Sequence, residues 1–284
     1  MATVANALSF IDDFQYQRGV TPLTEWYCPI IGIALYGLIL AVLPALVKGT
    51  KRWECKTYSV IHNIILAFGS LIMLLGVLFG TAKNVRSKGW YILICDEDPN
   101  PIRGSAFFWC YIYYLSKYYE LVDSVLIILK HNFRQLSVLH CWHHASMIWL
   151  SWAWIDGKWT GVWWGATMNC FVHVVMYSYY LLRSYGIEVW WKKYITVLQL
   201  MQLASFLIGI FVWFHADMQN LAFESRYPYV FFTKKGCAGS YISVALTQAV
   251  NISYIFLFIH FFRVTYSKPR HPLETQKRSQ KKVQ

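Results

Sequence analysis

Apolar residues run along this chain in seven long stretches separated by short polar connections. The stretches cover approximately residues 27–47, 59–80, 107–129, 136–155, 160–182, 194–215 and 240–262. Each comes near the roughly 20 residues that a helix needs to cross the apolar core of a bilayer. The alternating ten-residue pattern of a membrane barrel is absent, and backbone groups in lipid must be satisfied within their own segment, so helices are predicted. The first stretch follows Asp12, Asp13 and Glu25 rather than a basic leader, and it is too long for a signal-peptide core. Pro44, Gly69 and Gly209 fit inside the stretches, because membrane helices tolerate both residue types. The expected architecture is all-α and polytopic. Residues 1–26 form an N-terminal segment outside the membrane, 27–265 a seven-span membrane domain, and 266–284 a basic tail.

Composition agrees with this pattern. Hydrophobic residues make up 57% of the 284 residues and charged residues only 14%, against about 25% charged in soluble domains. A soluble globule, a disordered chain, a collagen, a coiled coil and a small disulfide scaffold are excluded. The formal net charge of +12 first suggests nucleic acid, so the location of the charge matters. The connections after stretches 1, 3 and 5 and the tail hold sixteen Lys and Arg, and the opposite set holds nine. By the positive-inside rule the N-terminus is lumenal or external and the tail cytosolic. The basic side therefore faces anionic lipid and anionic ligands, and nucleic acid is not needed to explain it.

Two further features follow from that topology. Lys281 and Lys282 stand three and four places from the end of a cytosolic tail, which looks like the dilysine retrieval signal of endoplasmic reticulum membrane proteins. Cys95 and Cys237 fall in two outer connections; on an oxidising side they could pair, or they could stand as unrelated thiols.

The informative positions are polar residues inside the apolar stretches, where each charge costs roughly 2.5–3.5 kcal/mol and needs a partner or a purpose. The third stretch carries Lys117, Glu120 and Asp123, three apart along one side of a helix. The fourth carries His140, His143 and His144, the fifth Asn169, His173 and Tyr177, and the sixth Thr196, Gln199 and Gln202. In the assigned topology these groups lie at one level, roughly 9–15 Å below the cytosolic surface at 1.5 Å per residue. A buried polar site opening to the cytosol is predicted.

Two chemistries suit clustered imidazoles. A di-iron desaturase or hydroxylase would use histidine boxes of this kind but needs about eight His in three clusters. Here the box and His173 give four, and His62, His131, His215, His260 and His271 stand alone. The other chemistry uses an imidazole as nucleophile or base, with Asp123 and Glu120 to orient it and a second imidazole, His173, for a proton or an oxyanion. Cys141 lies inside the box but is turned to its side and reads as a packing residue. His62, His215 and His260 read as core or interface residues, and Trp149, Trp152, Trp154, Trp159, Trp163 and Trp164 as an interfacial belt. A seven-span receptor or transporter is the non-enzymatic alternative; neither the internal repeat nor the broken helices of a transporter is evident.

Four segments together resemble a known family. They are Lys117-Tyr-Tyr-Glu120-Leu-Val-Asp123-Ser124, Leu139-His140-Cys-Trp-His143-His144, Asn169-Cys-Phe-Val-His173-Val-Val-Met176-Tyr177-Ser-Tyr179-Tyr180 and Thr196-Val-Leu-Gln199-Leu-Met-Gln202. In this order, each in its own stretch, they resemble the elongases of very long chain fatty acids, the membrane 3-ketoacyl-CoA synthases of the endoplasmic reticulum. Ser124 stands where that family usually has Thr, and the hydroxyl is kept. The resemblance implies seven spans, six of them in a barrel-like bundle around an acyl tunnel. It implies condensation of a long-chain acyl-CoA with malonyl-CoA to a 3-ketoacyl-CoA, CO2 and CoA, with no metal or organic cofactor. His143 is the expected nucleophile through an acyl-imidazole, assisted by His140, His144, Asp123 and Glu120, with His173 across the tunnel. Lys117, Lys130, Arg134, Gln135, Tyr179, Lys192, Thr196, Gln199 and Arg263 are the expected contacts of the CoA substrates. A ketoacyl-CoA reductase and a dehydratase would be the pathway partners. Gln135 is similar to the polyunsaturated branch of the family, Cys141-Trp142 and Val172 to the saturated branch, and chain length stays open.

Overall fold

A computed structural model describes residues 2–98, 104–224 and 236–266. Nine α-helices are described: α1 (Ala2–Asp12), α2 (Tyr27–Val47), α3 (Lys56–Lys88), α4 (Gly104–Tyr119), α5 (Val122–Leu129), α6 (Val138–Asp156), α7 (Val162–Ser184), α8 (Lys192–Glu224) and α9 (Tyr241–Tyr266). Among the described residues there is no β-strand. Four helices are long and apolar enough on their own to cross a membrane: α2, α3, α8 over Lys192–Met218, and α9. The protein is a multi-pass helical membrane protein. The stretch in between, α4 to α7, carries most of the buried charges and imidazoles among the described residues, with His62 on α3 and Asp217 on α8 besides.

Successive helices run back and forth, so that two ends can be told apart. At one end the loop after α2 meets the end of α5 through Trp53 N–H to the Leu129 carbonyl, 3.2 Å. At that same end the Tyr266 hydroxyl donates to the Lys192 carbonyl, 3.5 Å, where α9 finishes and α8 begins. At the other end Cys95, after α3, forms a disulfide with Cys237, before α9. Beside it Ala238 N–H bonds the Asp96 carbonyl at 2.7 Å.

The segment before α2 straps that second end. Tyr111, Tyr114 and Trp152 donate to the Pro22, Leu23 and Thr24 carbonyls at 2.9, 2.7 and 2.8 Å. Asp156, at the end of α6, accepts from Arg18 Nε at 2.8 Å and from the Tyr16 hydroxyl at 3.2 Å. Burial and the adjacent Asp156 push the Tyr16 phenol up, so it remains a neutral donor.

Two expectations change here. The third stretch is not one helix but α4 and α5, joined through Glu120 and Leu121. Leu121 N–H bonds Tyr118 O at 3.3 Å, and Asp123 N–H bonds Glu120 O at 3.0 Å, the tighter i to i−3 pattern. No Gly or Pro marks this turn in the sequence. The tryptophan belt is also revised, because Trp152, Trp154 and Trp159 are buried between helices. Trp154 Nε1 donates to Thr247 at 2.8 Å. Its ring lies against Gly165, where a β-carbon would sit 2.8 Å from Cζ3. An indole whose N–H finds a partner inside the bundle has no need of the lipid interface. The dilysine at 281–282 lies outside the described residues.

Candidate active site

The site is a ladder between α4–α5 and α7, and it follows from helix geometry. In an α-helix a step of three residues falls about 60° short of a full turn, so Asp123 would lag about 120° behind Lys117. The tightened turn at Glu120 and Leu121 removes part of that lag, because three residues of 3₁₀-helix complete one turn. Both carboxylates therefore look toward α7, whose Asn169, His173 and Tyr177 stand four apart on one face. Three rungs result. Lys117 Nζ donates to Asn169 Oδ1 at 3.0 Å, Glu120 Oε1 lies 3.5 Å from His173 Nδ1, and the Tyr177 hydroxyl donates to Asp123 Oδ2 at 2.6 Å.

Each rung is tied further. Lys117 also donates to Glu120 Oε1 at 2.7 Å, and its ammonium lies 4.0 Å from the Tyr113 ring centroid. The Lys117 and Glu120 side chains are 1% and 2% exposed, so the pair is sealed from water. Asn169 Oδ1 accepts a second bond from the Tyr113 hydroxyl, 3.0 Å. Asp123 Oδ1 lies 3.0 Å from His62 Nε2 on α3. Such pairing is what lets charges persist in a low-dielectric interior.

The histidine box lies beside this ladder. Ser137 caps α6 by accepting from the His140 N–H at 3.2 Å, which sets where the helix begins. His140 Nε2 is 2.8 Å from Ser124 Oγ, and Ser124 Oγ is 2.9 Å from the Tyr36 hydroxyl on α2. The His140 and His144 rings are 4.4 Å apart, those of His143 and His144 5.4 Å, and His143 lies 5.6 Å from the Tyr254 ring on α9. Among the described residues no hydrogen bond engages the ring of His143 or of His144, and His143 is the less buried of the two. No three His, Cys, Asp or Glu among the described residues converge as metal ligands.

Several expected roles shift. Asp123 and Glu120 do not hydrogen-bond the box: Asp123 goes to His62 and Tyr177, Glu120 to Lys117, Ser116 and His173. The group that holds the box is Ser124, a hydroxyl of suitable reach on the same turn of helix as Asp123. Lys117, expected to reach toward the CoA substrates, is instead enclosed by Glu120, Asn169 and Tyr113. His62, read as an ordinary core histidine, belongs to the site; a single His in an apolar helix carries no signal that separates the two cases. Tyr36 escapes sequence reasoning for the same reason.

The remaining candidates occupy the end where α5, α7 and α9 finish. Lys192, Arg263, Arg134 and Gln135 are exposed. Lys130 bonds Ser59 on α3, and burial holds its ammonium below the ordinary lysine range. Tyr179 is half-buried against Trp191, Thr196 is buried, and Gln199 Nε2 reaches Met176 Sδ at 3.8 Å. Among the described residues the polar row of α8 makes no hydrogen bond to the ladder.

Fold and site define a multi-pass membrane protein with a buried histidine–carboxylate centre in which Lys117, Glu120 and Asp123 all have partners. Residues 21–274 match the ELO: GNS1/SUR4 family. Fatty acid elongase sre1 of Dictyostelium discoideum is 33% identical over 255 residues, which cover 89% of this chain and 89% of that protein. Very long chain fatty acid elongase 4 of Mus musculus is 33% identical over 262 residues, 88% of this chain and 75% of that protein. Fatty acid elongase A of Dictyostelium discoideum is 34% identical over 258 residues, 91% and 90% of the two chains. The chain belongs to the GNS1/SUR4 family.

Proposed function

We propose that this protein elongates fatty acids as the condensing enzyme, a 3-ketoacyl-CoA synthase that joins a long-chain acyl-CoA to malonyl-CoA. The observation that carries this reading is a half-buried imidazole, His143, whose ring hydrogen-bonds no group among the described residues, next to a ladder in which Lys117, Glu120 and Asp123 all have partners. Family membership supports the substrate class, since the relatives matched are named fatty acid elongases.

The chemistry runs in two stages. A His143 ring nitrogen attacks the thioester carbonyl, the C–S bond breaks, and CoA leaves as thiolate, giving an acyl-imidazole in its protonated form, the second ring nitrogen keeping its hydrogen. Malonyl-CoA then loses CO2, and the resulting enolate carbon attacks the acyl carbon. The C–N bond breaks, the imidazole returns, and the 3-ketoacyl-CoA leaves. His173, oriented by Glu120, handles charge at the carbonyl oxygen or the proton. His140 and His144 complete the lining. No metal or organic cofactor enters this scheme.

In this reading α2, α3, α4 with α5, α6, α7, α8 and α9 form seven spans. The basic end is cytosolic and admits the CoA substrates past Lys192, Arg263, Arg134 and Gln135, while the disulfide end is lumenal in the endoplasmic reticulum. A reductase and a dehydratase would process the product.

The test is to incubate purified protein with palmitoyl- or stearoyl-CoA alone, followed by intact-mass and peptide analysis. An acyl mass on the His143 peptide that disappears with malonyl-CoA is expected. Product without an adduct would keep the condensing activity and discard the covalent stage. Absence of both across a panel of chain lengths would discard the activity.

A further inference from the structure

We infer that Tyr36, on the first apolar helix, is a positioning residue of the reaction centre, which acts through the Ser124 hydroxyl to hold His140 in one ring orientation and one tautomer. The inference rests on reading the histidine box as the reaction centre.

Most of α2 faces away from the bundle; Pro29, Gly32, Tyr36 and Val47 are its buried residues. Tyr36 is 1% exposed. One turn earlier, Gly32 lets α2 approach α4 so closely that a β-carbon there would lie 2.6 Å from Tyr118 Cε1. That approach brings the Tyr36 hydroxyl to 2.9 Å from Ser124 Oγ, which is itself 2.8 Å from His140 Nε2. The Tyr36 ring also lies 6.2 Å, centroid to centroid, from the His144 ring. One phenol thus bonds the residue that holds the box and lies beside one of the box rings.

The chemistry gives this contact a purpose. A serine hydroxyl has one hydrogen and two lone pairs, and on a helix its rotor can turn back to a carbonyl of the preceding turn. With a phenol as second partner the hydroxyl stays committed to His140 Nε2. The phenol is the stronger donor of the two hydroxyls, so Tyr36 donates to Ser124, Ser124 donates to His140 Nε2, and the ring hydrogen is held on Nδ1. Asp123, the neighbour of Ser124, is already engaged by His62 and Tyr177 and does not substitute for the phenol.

The full-length protein is compared with Tyr36→Phe, Ser124→Ala, Ser124→Thr and the Tyr36→Phe/Ser124→Ala pair, using palmitoyl-CoA and malonyl-CoA. Loss of one hydrogen bond in the relay is expected to lower kcat about tenfold in Tyr36→Phe, with the acyl-CoA KM nearly unchanged. Ser124→Thr is expected to keep activity, and the double variant to be no worse than Ser124→Ala, because the phenol acts through that hydroxyl. A wild-type kcat in Tyr36→Phe, an additive double variant, or an effect on KM alone would overturn the inference. A second readout does not depend on turnover: carbethoxylation of His140, followed by peptide mass, is expected to quicken in Tyr36→Phe relative to His143. If the wild type forms no product, the proposed activity fails on its own, and the labelling ratio still decides on Tyr36, an unchanged ratio overturning it.

Discussion

His62 Nε2 lies 3.0 Å from Asp123 Oδ1, a bond that joins α3 to the turn carrying both carboxylates. An ionised carboxylate only accepts, so His62 donates from Nε2. Its Nδ1 is buried without a protein partner, which is the cheaper arrangement when the ring is neutral and that nitrogen holds a lone pair. His62 therefore serves as the α3 anchor of Asp123.

Replacing that anchor tests its role as donor. His62→Leu leaves Asp123 held by Tyr177 alone, and loss of a hydrogen bond to a charge, worth roughly 1.5–3 kcal/mol, is expected to cost about 10- to 100-fold in turnover. His62→Gln retains an amide N–H of similar reach and is expected to keep more activity. Product rates at saturating substrate make the comparison. Equal losses in the two variants, with folding intact, would discard the donor role.

The buried pair Lys117–Glu120 leads to a prediction about stability. With both side chains nearly sealed from water, removing one partner strands a charge, which typically costs roughly 3–5 kcal/mol. Lys117→Met and Glu120→Leu are each expected to lower the melting temperature in detergent strongly. The double variant is expected to recover much of the loss while remaining inactive. If the double variant melts as low as the sum of the singles, the pair is not what balances these charges.

What the sequence makes legible is the level of the site, and what it hides is the pairing. Charged residues and imidazoles in apolar runs stand out against their cost in lipid, and their three- and four-residue spacings identify the faces of α6 and α7. Which carboxylate meets which histidine depends on how α4 and α5 are rotated, and the turn at Glu120 and Leu121 that decides this carries no Gly or Pro. His62 is the one imidazole of α3 and Tyr36 a lone phenol in the middle of α2, the same pattern a packed core shows. Tryptophans likewise read alike at an interface and in a core, since both places offer apolar contact and a partner for the indole N–H.

Cys95 and Cys237, 142 positions apart, close the loop that contains most of the site. Denatured but unreduced protein is expected to take up five mass-tagged maleimides, at Cys28, Cys55, Cys110, Cys141 and Cys170, and seven after reduction. Replacing both bridge residues by Ser is expected to lower stability by about 2–4 kcal/mol without altering turnover of the protein that stays folded. Seven tags before reduction would show that the bridge does not form, and would also remove the argument that this end faces an oxidising compartment.

The basic end offers the clearest separation of binding from chemistry. Lys130 is committed to Ser59 and only partly exposed, so it is the poorer phosphate partner. Lys192 and Arg263 are exposed, stand where α8 begins and α9 ends, and are the better candidates for the phosphates of CoA. Charge reversal at either, Lys192→Glu or Arg263→Glu, is expected to raise the acyl-CoA KM about fivefold or more with little change in kcat, since these contacts are equal in ground and transition states. The difference from wild type is expected to shrink as salt is added, because exposed charges are screened. Unchanged KM in both variants would move the phosphate contact to Arg134 and its neighbours on the α5–α6 connection. A fall in kcat instead would mean that one of these side chains reaches the reaction centre, against its exposed position.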